Sequence, residues 1–169
     1  MIKLLGFVVI VISSAKIGFD ISLKYIYRVK ELRAFLNMLE KIKNDIKFSN
    51  YVISDALINL YEVKSDSVNK MFDYISKKIE NEKINPGDAF KSFLENNTTY
   101  FEKCDIDEIF GFFASFGSSD RETEIKNIDK TAEVIKSNLA VALENEKKYV
   151  KFFRASGVLS GFLIAIILA

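Results

Sequence analysis

The sequence predicts an all-α protein: an antiparallel bundle of about six helices, flanked by N- and C-terminal transmembrane helices. Three observations carry this expectation. Seven glycines and one proline in 169 residues leave few breakers, and the polar residues between them suit helices. Apolar residues in the middle of the chain recur at three- and four-residue spacing, the period of a helix face. Both ends are apolar runs, MIKLLGFVVIVISSA at residues 1–15 and ASGVLSGFLIAIILA at 155–169. The expected division is a membrane anchor over 1–26, a cytoplasmic bundle over 27–151 and a second anchor over 152–169.

The N-terminal run has two readings. Lys3, the apolar stretch 4–12 and Ser13-Ser14-Ala15 fit the n-region, h-region and cleavage site of a signal peptide. Against cleavage, apolar character resumes after Lys16 through Ile21, Leu23, Tyr25 and Ile26, and the C-terminal run needs a membrane partner. Lys16 and Asp20, four apart on one face, either offset each other or mark the end of the buried segment.

Leu32, Phe35, Leu36, Leu39, Ile42 and Ile46 then form one apolar stripe. A short helix is expected around Ile53, Ala56, Leu57, Leu60 and Tyr61, and another through Val68, Met71, Phe72, Ile75 and Ile79. Asn85-Pro86-Gly87-Asp88 reads as a helix start with Asn85 as N-cap and Pro86 at N1, and Asn96-Asn97 as its end. A helix from about 105 to 116 would bury Ile109 and Phe113, with Gly117 at C′. Ser119 and Glu122 are spaced as a capping box for a long last helix. Its near-heptad stripe includes Ile128, Ile135, Leu139 and Ala142, and it runs straight into the apolar tail. The tail is expected to close the chain as the second of two anchors. Extending that span back through Phe152 and Phe153 would require Arg154 to snorkel towards the headgroups. Fifteen Phe and seven Tyr forecast an aromatic core.

Charge sets the orientation. Lys16, Lys24, Arg28 and Lys30 follow the first run, and Lys147, Lys148, Lys151 and Arg154 precede the last, whereas the outer flanks carry only Lys3. The positive-inside rule places the middle of the chain in the cytoplasm. Lys24, Arg28, Lys147, Lys148, Lys151 and Arg154 are the residues expected to face an anionic lipid surface.

No catalytic constellation emerges. Histidine is absent, and the sole cysteine, Cys104, lies among acids that raise a thiol pKa. A net charge of +1 gives no reason to expect nucleic acid as a partner. Asp105, Asp107 and Glu108 cluster where carboxylates complement a helix dipole, with a divalent metal site as the weaker reading. No catalytic, cofactor or metal residue is assigned, and no small-molecule substrate is expected. Phe116, Gly117, Asp120 and Arg121 form a candidate structural turn or partner contact.

Four stretches carry a resemblance: KLLG at 3–6, GF at 18–19, FG-x-x-DR at 116–121, and KYVKFFRASGVLSGFLIAIILA from Lys148. In their order and spacing the chain resembles the stage III sporulation protein AB family of endospore-forming Firmicutes along essentially its whole length. Phe90 departs from relatives that carry Trp there. The resemblance implies a cytosolic six-helix bundle similar to the cytoplasmic domains of type II secretion and type IV pilus platform proteins. It further implies a non-enzymatic scaffold in the mother-cell membrane facing the forespore, within the channel apparatus between the two cells. Other stage III sporulation proteins would be partners, the ATPase-like stage III sporulation protein AA among them. The alternatives are a secreted or membrane-associated helical interaction protein with a cleaved signal, and a metal-dependent enzyme built on the carboxylates.

Overall fold

The computed structural model describes residues 2–48 and 67–167. Over these residues the chain is all-α, with five helices and no strand: α1 Ile2–Phe48, α2 Ser67–Glu82, α3 Pro86–Asn96, α4 Lys103–Ser115 and α5 Arg121–Ile167. The short helix expected around 53–61 lies outside the described residues. The terminal apolar runs are not separate helices. With no proline before Pro86 and none after it, α1 and α5 each continue unbroken for 47 residues. Two compact units result, one from Met1–Val29 with Ala140–Ala169 and the other from Lys30–Leu139.

The Lys30–Leu139 unit is organised by phenylalanine. Leu32, Phe35, Leu39, Ile42 and Ile46 of α1 are all buried, as the stripe requires, while Leu36 is half-exposed. Phe113 of α4 has its ring 6.4 Å from Phe35 of α1, 5.4 Å from Phe72 of α2 and 5.4 Å from Phe90 of α3. Three helices therefore converge on one side chain, in tilted and edge-on geometries that suit the ring quadrupole. Burying each such ring stabilises the unit by roughly 1.5–3 kcal/mol. Phe35 adds Phe101 and Phe112 at 6.5 and 6.1 Å, which brings in the segment before α4.

Helix ends follow local chemistry. Asn85 caps α3 as the sequence predicts, its Oδ1 accepting from Gly87 N–H at 2.8 Å with Pro86 next. Gly87 is needed for space, because a Cβ there would lie 3.0 Å from the Ala114 Cα of α4. Helix α4 begins two residues earlier than expected, at Lys103, because Asp105 reaches back to accept from Glu102 N–H at 2.9 Å. Asp105 is fully buried, and the Asn138 amide of α5 donates to its other oxygen at 2.9 Å. Glu31, also buried, accepts from the Ser67 hydroxyl at the start of α2 and from Tyr100 N–H. These two carboxylates staple chain connections to the long helices.

One helix start is corrected. Helix α5 begins at Arg121, so Asp120 rather than Ser119 occupies the capping position, and Asp120 Oδ2 accepts from Thr123 N–H at 3.4 Å. Gly117, at φ +79°, turns the chain after Phe116 and sets this phase. Hydrogen bonds from Thr123, the hydroxyl foremost and then the backbone N–H, hold the Asp120 carboxyl below its usual range.

Phe113→Ala should lower the unfolding free energy of the bundle by about 3–5 kcal/mol, since a fully buried ring at a three-helix junction leaves a cavity. Lys136→Asp, exposed on α5, should change it by under about 0.5 kcal/mol. Denaturant melts of the detergent-solubilised chain, followed by circular dichroism, compare the two.

Candidate functional site

The unit of Met1–Val29 and Ala140–Ala169 is an antiparallel pair of helix segments with an inverted apolar pattern. Apart from Val29 at its edge, its buried positions are small or polar: Gly18, Ser22 and Arg28 on α1, and Ala142, Gly157, Gly161 and Ala165 on α5. Its large apolar residues point outwards, with Ile12 and Ile17 on α1 and Leu159, Leu163 and Ile166 on α5 each about two-thirds exposed. Water-soluble helices do the opposite. Small residues inside and large apolar ones outside is the arrangement that packs helices in lipid. Both helices are long and apolar enough to cross a membrane.

The seam is closed by backbone rather than side chains. A Cβ on Gly18 would collide with the Phe153 carbonyl oxygen and stand 3.0 Å from Gly157 Cα. One on Gly157 would lie 2.9 Å from the Ser14 carbonyl oxygen, and one on Gly161 2.9 Å from Val11 Cα. In the space this opens, the Ser14 hydroxyl donates to the Gly157 carbonyl at 2.7 Å and pairs with Ser160 Oγ at 2.9 Å. Read alone, the glycines and serines of the tail are simply residues that a membrane helix tolerates. Their role as the seam was hidden because their partners lie more than 140 residues away.

Aromatic rings close the other end of the seam. Tyr25 stacks on Tyr149 at 5.1 Å and on Phe153 at 5.9 Å. From Gly6 to Tyr25, α1 rises about 28 Å, close to the roughly 30 Å of a hydrocarbon core. The tyrosines thus fall where an interface is expected. Lys24, Lys147, Lys148 and Lys151 are exposed at this level, next to the stacked rings in sequence. Arg154 is exposed as well, but it is turned onto α1: its Nε donates to Ser22 Oγ at 3.1 Å and its guanidinium lies 4.5 Å over the Phe19 ring. The Ser22 hydroxyl in turn donates a hydrogen bond to the Phe19 carbonyl at 2.6 Å. Arg28 departs from the other basic residues, since it is only 3% exposed and does not present its charge outwards.

The turn at 116–121 belongs to the other unit. Phe116 is buried with its ring 5.3 Å from Phe112, whereas Gly117, Asp120 and Arg121 are exposed. Just beyond it, Glu124 is fully buried, and neither carboxylate oxygen has a hydrogen-bond partner among the described residues. Desolvation pushes its carboxyl above the usual carboxylate range; the Gly117 amide opposes this without reaching hydrogen-bond geometry. The sequence offered no sign of this group, because a glutamate four residues into a helix reads as solvated surface. Among the described residues no group of three or more Cys, Asp or Glu side chains is placed to hold a metal ion. Asp105 is engaged by Glu102 and Asn138, while Asp107 is exposed and Glu108 half-buried.

The model of the family described as stage III sporulation protein AB matches residues 3–169. Stage III sporulation protein AB of Bacillus subtilis (strain 168) is 22% identical over 170 residues, covering 99% of each chain. No solved structure is significantly similar to this chain.

Two measurements test these readings. With Cys104→Ser removing the native thiol, Ser14→Cys with Ser160→Cys should form an internal disulfide under mild oxidation, and adding Gly18→Leu should abolish it by forcing the helices apart. Glu124 tests the turn. Its raised folded value means that the folded state holds its proton more tightly than the unfolded chain. Stability should therefore fall as pH rises from about the unfolded value of 4.5 through the folded one. Glu124→Gln should stabilise the chain by on the order of 1 kcal/mol at pH 7 and by little at pH 4, as read from melting curves at the two pH values.

Proposed function

Because this chain belongs to the stage III sporulation protein AB family, we propose that it serves endospore formation as a non-enzymatic scaffold of the mother cell–forespore channel apparatus. In this reading the hairpin of α1 and α5 anchors it in the mother-cell membrane facing the forespore, with the helical bundle in the cytoplasm. The observation that carries the reading is the inverted hairpin: a seam of glycine and serine inside, large apolar side chains outside, and a lysine-rich level at one end only. Lys24, Lys147, Lys148 and Lys151 would face anionic headgroups, each adding up to about 1 kcal/mol near the surface before salt screening. Retention of the N-terminal run is favoured over cleavage, since losing residues 1–15 would strip Val11 and Ser14 from Gly161 and Gly157. Other stage III sporulation proteins are the partners this role requires. The ATPase-like stage III sporulation protein AA is the member that would dock on the cytoplasmic bundle, by analogy with secretion platforms.

Cys104 reports the topology, being both the sole cysteine and exposed. A membrane-impermeant maleimide should leave it unlabelled in intact sporulating cells and label it after permeabilisation. Labelling in intact cells would place the bundle on the wrong side. In the same cells, deleting residues 155–169 should leave a folded bundle that is less firmly held by membranes and does not restore spore formation.

A further inference from the structure

The hairpin uses one face of α1, and the face opposite it carries a polar stripe. Gly18 and Ser22 mark the seam; Lys16 and Asp20 lie close to 160° from Gly18 to either side at 100° per residue, directly away from α5. Ser13, Lys16, Asp20, Lys24 and Tyr27 follow one another at spacings of three, four, four and three, and all five are exposed. The outward face of α5 has no counterpart: Val158, Leu159, Phe162, Leu163 and Ile166 make it apolar.

Depth makes this stripe costly in a single hairpin. Counted from Gly6, Lys16 and Asp20 lie about 15 and 21 Å along α1, inside a hydrocarbon layer of about 30 Å. A lysine stem can snorkel from there, but an aspartate has no such reach. The two do not satisfy each other: among the described residues no ion pair joins them, and a base preceding an acid by four is the weaker order on one helix.

We propose that α1 is the contact between two copies of this chain in the membrane, with Lys16 of each copy paired to Asp20 of the other. The inference rests on the membrane reading above. Copies inserted in the same direction meet with their α1 helices parallel, related by a two-fold axis along the membrane normal. The stripe is then self-complementary. Each Lys16 faces an Asp20 offset by about 6 Å along the axis, within the reach of a lysine side chain across packed helices. Two reciprocal pairs form, no net charge is left in the lipid, and Ser13 meets its own copy across the axis. The apolar outer face of α5 remains for lipid.

Cross-linking in native membranes tests the pairing in the full-length chain carrying Cys104→Ser. Ser13→Cys should give an oxidised species of twice the 19.3 kDa chain mass, and Leu163→Cys, on the α5 face, should not. Adding Lys16→Asp should cut the Ser13→Cys dimer about tenfold by setting like charges opposite each other. Lys16→Asp with Asp20→Lys should restore it, which a merely misfolded hairpin would not do. Equal cross-linking through Leu163→Cys, no loss on Lys16→Asp, no recovery in the swapped pair, or a Ser13→Cys product containing only a different protein would each overturn the pairing. Alkaline carbonate extraction separates the two levels. Release of the chain would overturn the anchoring itself, whereas retention without a Ser13→Cys dimer would overturn only the association.

Discussion

Two long helices can touch backbone to backbone only where neither carries a side chain, and Gly18, Gly157 and Gly161 supply those places. Much else in the terminal unit follows. With the glycine faces turned inwards, large apolar side chains such as Ile12, Ile17, Leu159, Leu163 and Ile166 turn out. Ser14 gains a carbonyl partner across the seam, and Tyr25 meets Tyr149. The same phase pushes Lys16 and Asp20 to the far side of α1. A helix in lipid gains nothing from hiding apolar surface, so contact area and short hydrogen bonds have to supply the attraction. Small residues maximise both.

The other unit is held by a different logic. Water drives its phenylalanines together, and Phe113 is the point at which α1, α2 and α3 meet α4. Non-directional packing of this kind leaves register loose, and the buried carboxylates Glu31 and Asp105 supply direction. Each accepts from a backbone N–H and from a side chain of another segment, so a slipped register would leave a buried charge without donors. Glu124 shows the cost of the alternative, a carboxylate buried without such partners.

What could be read from the sequence was local or periodic. The Asn85-Pro86 start, the glycine at 117 and the stripe from Leu32 to Ile46 are decided within a turn or by a repeat, and all three are found. The start of α5 failed because Ser119 and Asp120 are adjacent and both can cap; the choice falls to the backbone turn at Gly117, which a spacing rule does not see. Arg28 reads as one more flanking base, yet its long stem carries it inside. The seam was the least legible feature. A glycine announces freedom in one dimension, and only its partner far along the chain shows that space was the requirement.

That sequence distance has a temporal meaning. Ser14 and Gly157 are 143 residues apart, and at 5–20 residues per second a ribosome takes roughly 7 to 29 s to deliver the second after the first. For that interval α1 must wait in or near the membrane with its glycine face open and its serine bonded within its own helix. The hairpin can therefore form only after α5 has been made. Whatever receives the nascent chain has to hold a lone, charge-bearing helix until its mate emerges.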